Sequence, residues 1–136
     1  MKPSNLFIAT ILLASLFITG CKTESAKDLL VKKWKFTEIT GPDAAQIPDS
    51  VKTKMFATAI MEFKKDGSYE QSGGMKEGVE KGTYTLSDDG KTIISKSGGS
   101  GMGDTVMILE LSKTKMVVAP KTKSAGQNLT LTMMAQ

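Results

Sequence analysis

The most reactive side chain in this sequence is a lone thiol: Cys21 is the only cysteine, and the chain contains no histidine and no arginine. Without imidazole there is no side chain that titrates near neutrality unperturbed, and no His to act as metal ligand or general base. Without guanidinium there is no bidentate clamp for phosphate or carboxylate. Carboxylates cluster as Asp88-Asp89, as Glu77 with Glu80, and at Glu62. Acid–base work would need a pair whose surroundings push their pKa values apart. Asp88-Asp89 lies in a turn-forming stretch and Glu62 alternates away from Met61 and Phe63, so solvation is expected for both. No serine stands in a nucleophile-elbow context.

The remaining chemistry-bearing patterns are equally plain. Nine methionines invite a copper reading, because soft thioethers select Cu(I). The only adjacent pair, Met133-Met134, projects to opposite faces of a strand, so core filling accounts for the methionines better. The run Ser97–Gly103 is glycine-rich but lacks the Gly-Lys-Ser/Thr ending of a phosphate loop. The lysines are dispersed, with Lys32, Lys33 and Lys35 the densest group, which argues against nucleic-acid binding. The expectation is a protein with no catalytic residues, no cofactor and no metal.

The position of Cys21 is more informative than its reactivity. One charge, Lys2, precedes an apolar run from Leu6 to Ile18, followed by the small residues Thr19 and Gly20. This is the order of a secretory signal, and the run is shorter than the roughly 20 residues that span a bilayer. Ile18-Thr19-Gly20-Cys21 resembles a bacterial lipobox. The resemblance implies cleavage between Gly20 and Cys21, a diacylglycerol thioether on the Cys21 sulfur, and a fatty acyl group such as palmitate on the new amino terminus. A lone cysteine in an exported chain, with no disulfide partner, fits that fate. The expected organisation is a lipoprotein signal peptide over residues 1–20, a lipidated cysteine and short tether over 21–28, and one domain over 29–136. The tether reaches only about 13 Å, so the domain should sit close to the membrane.

Within the domain, Asp28–Val31 reads as a turn of helix leading into a first strand, Lys33–Ile39. Ile47, Val51, Met55 and Ala59 recur at spacings of four with Phe56 beside them, which predicts a helix over Gln46–Ala59. Everything after that reads as strands: Ala59–Lys64, Ser68–Ser72, Val79–Leu86, Lys91–Lys96, Thr105–Leu111, Lys115–Pro120 and Asn128–Ala135. Asp66-Gly67 and Asp89-Gly90 are hairpin-turn dipeptides. Eight short strands, most joined by hairpins, predict an all-β, eight-stranded antiparallel up-and-down barrel with a short helix after the first strand.

Particular segments carry a family likeness. Trp34 in the first strand, Phe63-Lys64-Lys65-Asp66-Gly67-Ser68-Tyr69, the stretch Gly82–Ile93, and Leu109-Glu110-Leu111-Ser112 before Met116-Val117-Val118 together resemble the lipocalin-like domains of bacterial lipoproteins, especially those of Bacteroidetes. The resemblance implies a lipocalin-like barrel over roughly residues 29–135. It departs from typical lipocalins in having Lys32 where they place a glycine, and in lacking the arginine that packs over their tryptophan. It therefore implies no particular ligand.

Alternation assigns an inward set of Trp34, Phe36, Met61, Phe63, Tyr69, Tyr84, Leu86, Ile94, Met107, Leu109, Leu111, Met116, Val118, Leu129, Leu131 and Met133. An eight-stranded barrel is just wide enough to be filled by such side chains or to hold one small ligand. Two functions follow. In the first, a membrane-anchored carrier binds a small hydrophobic molecule against Trp34, Phe36, Phe63, Tyr69, Tyr84, Met107, Leu109 and Met133, beneath a helical lid that contributes Met55 and Phe56. In the second, a packed barrel serves as a non-enzymatic structural or interaction module for an envelope protein partner. By analogy with other bacterial lipoproteins, which the lipobox resembles, Lys22 after the cysteine, with no Asp there, implies the outer membrane, on its periplasmic or surface side.

Overall fold

The computed structural model describes residues 23–74, 77–98, 103–121 and 128–136. The leader, Gly20 and Cys21 lie outside the described residues. The elements are α1 (Ala26–Leu30), β1 (Lys33–Thr40), a 3-10 turn (Pro42–Gln46), α2 (Asp49–Thr58), β2 (Ile60–Phe63), β3 (Ser68–Ser72), β4 (Val79–Leu86), β5 (Thr92–Ser97), β6 (Gly103–Leu111), β7 (Lys115–Pro120) and β8 (Thr130–Ala135). Each strand pairs antiparallel with the next, and β8 returns to β1, so the ring of eight closes and no strand is left as an edge. This is the up-and-down barrel expected, with its helix after the first strand. That helical region is divided: a 3-10 turn comes first, and α2 begins only after Pro48, which stands at its N-cap with no side-chain cap.

Turn chemistry sets the hairpins. Gly67 and Gly90 take positive φ values of 86° and 68°, a region that costs glycine nothing. The preceding aspartates brace each turn. Asp66 accepts from the Ser68 amide at 2.9 Å and its hydroxyl at 2.6 Å, and Asp89 accepts from the Lys91 amide at 3.0 Å and from Ser87. On the outer wall Glu70 accepts from Lys64 at 2.8 Å and lies 3.3 Å from Lys81. Hydrogen bonds to the charged form hold all three carboxyls below their ordinary values, chiefly those from Ser68 to Asp66, from Lys64 to Glu70 and from Ser87 to Asp89.

A carboxyl with a lowered native pKa contributes stability that is present above its unfolded value and lost as pH falls through the native one. Thermal stability is therefore expected to decline in acid. The triple variant Asp66→Asn, Glu70→Gln, Asp89→Asn should flatten the Tm profile below the ordinary carboxylate range. An unchanged slope in that variant would mean that other groups set the acid limb.

One end of the barrel is sealed. Ser25 and Asp28 form a capping box, in which the Ser25 hydroxyl accepts from the Asp28 amide at 3.1 Å and Asp28 accepts from the Ser25 amide at 3.3 Å. α1 therefore begins at Ala26, inside the stretch expected to be tether. It lies beside the hairpin turns at this end. A Cβ on Gly90 would meet the Ala26 methyl at 2.7 Å, and Glu24 pairs with Lys113 at 3.3 Å. Leu30, Trp34 and Met116 are the largest fully buried side chains, and the Trp34 indole donates to the Leu30 carbonyl at 2.9 Å. The cation over the tryptophan comes from Lys32, whose ammonium sits 5.5 Å from the ring centroid and donates to the Lys113 carbonyl at 3.0 Å. The residue that breaks the typical lipocalin motif thus supplies the charge that the absent arginine would have carried.

Two bulges interrupt the alternation. Between Phe36 and Glu38 in β1, and between Ile108 and Glu110 in β6, the register shifts by one residue. Each shift changes which side chains face inward beyond it.

Candidate functional site

Among the described residues, the other end of the barrel is open. The α2 region lies there, opposite the tight hairpins, and α2 packs against β1. Inside the strands lies a chamber of about 150 Å³, walled by Phe36, Met61, Phe63, Tyr69, Ile93, Val106, Met116, Val118, Leu131 and Met133, with Gln71, Glu80, Ser95 and Asp104 as its polar groups. Above it, a mouth of about 550 Å³ is bordered by Ile39, Ile47, Met55, Ala59, Val79 and Leu129 among others. Phe36, Met61, Gln71, Glu80, Asp104 and Leu131 line both, so the two are successive compartments of one space.

The residues expected to line the interior divide into three groups. Phe36, Phe63, Tyr69 and Met133 face the inner chamber, and Met55 faces the mouth. Trp34 and Tyr84 point inward but belong to the packed core, bordering neither compartment; Phe56 packs against that core from α2 without reaching the chamber. Met107 and Leu109 do not line the interior at all. The bulge reverses the parity of β6, so Val106 and Ile108 turn toward the core while Leu109 is 57% exposed. A parallel correction applies in β5. Ile93 opposes inward Leu86 and is buried, whereas Ile94 opposes Thr85 and faces solvent.

Sequence reasoning missed the polar groups. Gln71 and Glu80 are cross-strand partners on β3 and β4, and Ser95 and Asp104 are partners on β5 and β6. Gln71 continues the inward row from Met61, and Ser95 the row from Tyr84, so all four lie on the inward side of their strands, with Asp104 exposed at the rim. The signal available was the parity of Tyr69, Gln71 and Tyr84, Glu80 within their own strands.

Aromatic packing sets the wall beneath them. Phe63 meets Tyr84 edge-on at 4.9 Å and Tyr69 at 6.4 Å. Gly82 admits the Tyr69 ring, since a Cβ there would lie 2.6 Å from Tyr69 Cε1 and 2.2 Å from the Lys96 carbonyl oxygen. The Tyr84 hydroxyl donates to the Lys64 carbonyl at 2.7 Å. Burial, then the charges of Glu80 and Asp104, push the Tyr69 phenol up. Among the described residues no group of three or more His, Cys, Asp or Glu could hold a metal ion, and no helix is long and apolar enough to cross a membrane.

A closed up-and-down ring of eight strands, sealed at one end and open at the other onto an internal apolar space, defines a lipocalin-type barrel. The chain belongs to the lipocalin-like domain family, which matches residues 30–118. Its fold is also similar to the crystal structure of a DUF4847 family protein from Bacteroides vulgatus, with a TM-score of 0.56 and 12% identity, covering 79% of this chain and 94% of that one. No curated protein matches it. Lipocalin-like barrels are generally binding folds rather than enzymes.

Proposed function

We propose that this protein is a lipid-anchored, non-enzymatic carrier of the cell envelope that holds a small hydrophobic molecule inside its barrel. The carrying observation is the apolar chamber of about 150 Å³ that opens into a mouth of about 550 Å³. Together they fall within the roughly 300–1,000 Å³ of small-molecule pockets. The inner chamber alone matches the volume at which an apolar cavity stays dry and accepts a benzene-sized guest. The polar band between the compartments offers fixed hydrogen-bonding groups, the usual complement to an apolar pocket.

The anchor is Cys21, acylated after cleavage at Gly20, and the location is the outer membrane, periplasmic or surface-facing. Charged, apolar and small residues in that order support the export signal. The path from Cys21 into the domain is short: Thr23 follows after one residue, and Glu24 and Ser25 are already tied to the closed end. That short path supports an orientation with the sealed floor toward the membrane and the mouth away from it.

The test is direct. Native mass spectrometry of protein purified from its own envelope should show a guest, and an apolar fluorescent probe should bind and be displaced by it. Met61→Trp, at a wall shared by both compartments, should weaken probe binding about tenfold or more while the barrel keeps its circular dichroism. Absence of both guest and probe binding would end the carrier reading.

A second reading, an interaction module for an envelope protein, draws on Leu109 and Ile94, which are large apolar side chains exposed on the outer face of β5 and β6. Crosslinking in intact cells that recovers one partner, lost on Leu109→Lys and Ile94→Lys, would favour it.

A further inference from the structure

Resting on the carrier reading above, we infer that the guest is a small aromatic compound whose ring lodges in the inner chamber, against a wall of thioethers and aromatic side chains. That wall spans five neighbouring strands of the closed ring. Met116 comes from β7, Met133 from β8, Phe36 from β1, Met61 and Phe63 from β2, and Tyr69 from β3. The register keeps these side chains together: Met133 stands opposite Met116 on one side and Phe36 on the other, and Phe63 stands opposite Tyr69. The rest of the apolar lining is aliphatic and includes Ile93 of β5 and Val106 of β6.

Size and chemistry agree on the occupant. A chamber of about 150 Å³ is the size at which an apolar cavity holds benzene. Bulk hydrophobicity does not favour a flat ring over a saturated one, but these walls do. A methionine sulfur attracts the edge of an aromatic ring, and aromatic side chains attract a further ring edge-on or offset, each contact adding to what area burial supplies. A saturated ring of the same carbon skeleton gains the burial alone. The wall already pairs in this manner: Phe63 meets Tyr84 edge-on with the planes 79° apart, and lies tilted by 43° to Tyr69. Methionine is also unbranched, so Met61, Met116 and Met133 can fit themselves to an entering ring by side-chain rotation.

The experiment compares benzyl alcohol with cyclohexylmethanol as competitors for an apolar fluorescent probe on the purified mature protein. Each affinity is divided by the compound's own water-to-alkane partition, which removes the difference in bulk hydrophobicity. On that scale the aromatic alcohol is expected to lead by about tenfold. In Met61→Leu/Met133→Leu, which nearly conserves volume and removes two sulfurs, the lead should shrink to about threefold or less. Should that variant fail to fold, nuclear magnetic resonance of methyl-labelled methionine on the unaltered protein locates the ring. Benzyl alcohol should shift the Met61, Met116 and Met133 methyls by its ring current and leave the methyl of Met134, exposed on the outer face, in place. Equal standing of the two alcohols, no displacement of a bound probe by either, or no shift of the chamber methyls would overturn the inference and leave the carrier reading intact. Failure of the probe itself to bind, together with both alcohols, would overturn both.

Discussion

Replacing Trp34 by alanine is expected to destabilise the fold by about 3–5 kcal/mol, the range for removing a large aromatic from a packed core. The indole is completely buried and shares the floor with Leu30 and Met116, which are equally inaccessible. It sits in β1 beside Ala135 of β8 and Met61 of β2, at the seam where the ring closes. Its removal leaves a void at that seam. It also strips the Leu30 carbonyl of one of its two donors, leaving the Lys32 amide, and the Lys32 ammonium of the ring beneath it. Since domains are stable by only about 5–15 kcal/mol, the variant should show a large drop in urea midpoint or be partly unfolded at growth temperature. Trp34→Phe keeps the bulk but not the N–H, and should cost about 1–3 kcal/mol. Circular dichroism is the measurement, because this is the only tryptophan. A loss below about 1 kcal/mol for the alanine variant would mean that the floor contributes little to stability.

Cys21→Ser is expected to abolish acylation and, with it, the mature membrane-bound form. Several acyl chains, at about 0.8 kcal/mol for each buried methylene, make residence effectively permanent. Cell fractionation and intact mass provide the check: the unaltered protein should pellet with membranes and carry the mass of its acyl groups, starting at Cys21. The serine variant should be soluble or remain uncleaved. A cleaved serine variant retained in the membrane fraction as fully as the unaltered protein, or an unmodified thiol at residue 21, would remove the anchor from the account.

The barrel was legible because its local signals agree. Alternating aromatics, Asp-Gly turns and strand spacing each pointed to the same eight-stranded ring, and the observed strand bounds differ from those expected by only a residue or two. The start of α1 was also written in the chain, as Ser25-x-x-Asp28, but its short span reads as tether unless the reciprocal hydrogen bonds are considered. What alternation could not supply was phase. Ile93 and Ile94 are adjacent and alike, and only the pairing of Leu86 with Ile93 decides which one is buried. In β6, parity carried back from Leu111 assigns Leu109 and Met107 to the interior, whereas the hydrogen-bonded register slips between Ile108 and Glu110. The inner polar groups were hidden for a related reason: a charged residue at an inward position reads as an exception to the pattern that defines the strand.

That slip in β6 decides more than where Leu109 points. Counted strictly from Leu111, Asp104 would look out into water and Thr105 and Met107 would look in; with one residue of slack, Asp104 turns inside opposite Ser95. Backbone stagger thus decides that a carboxylate, and not Met107, stands on the inward side of β6. Deleting Leu109 alone would take up the slack and restore strict alternation, with Ile108, Val106 and Asp104 keeping the sides they already take.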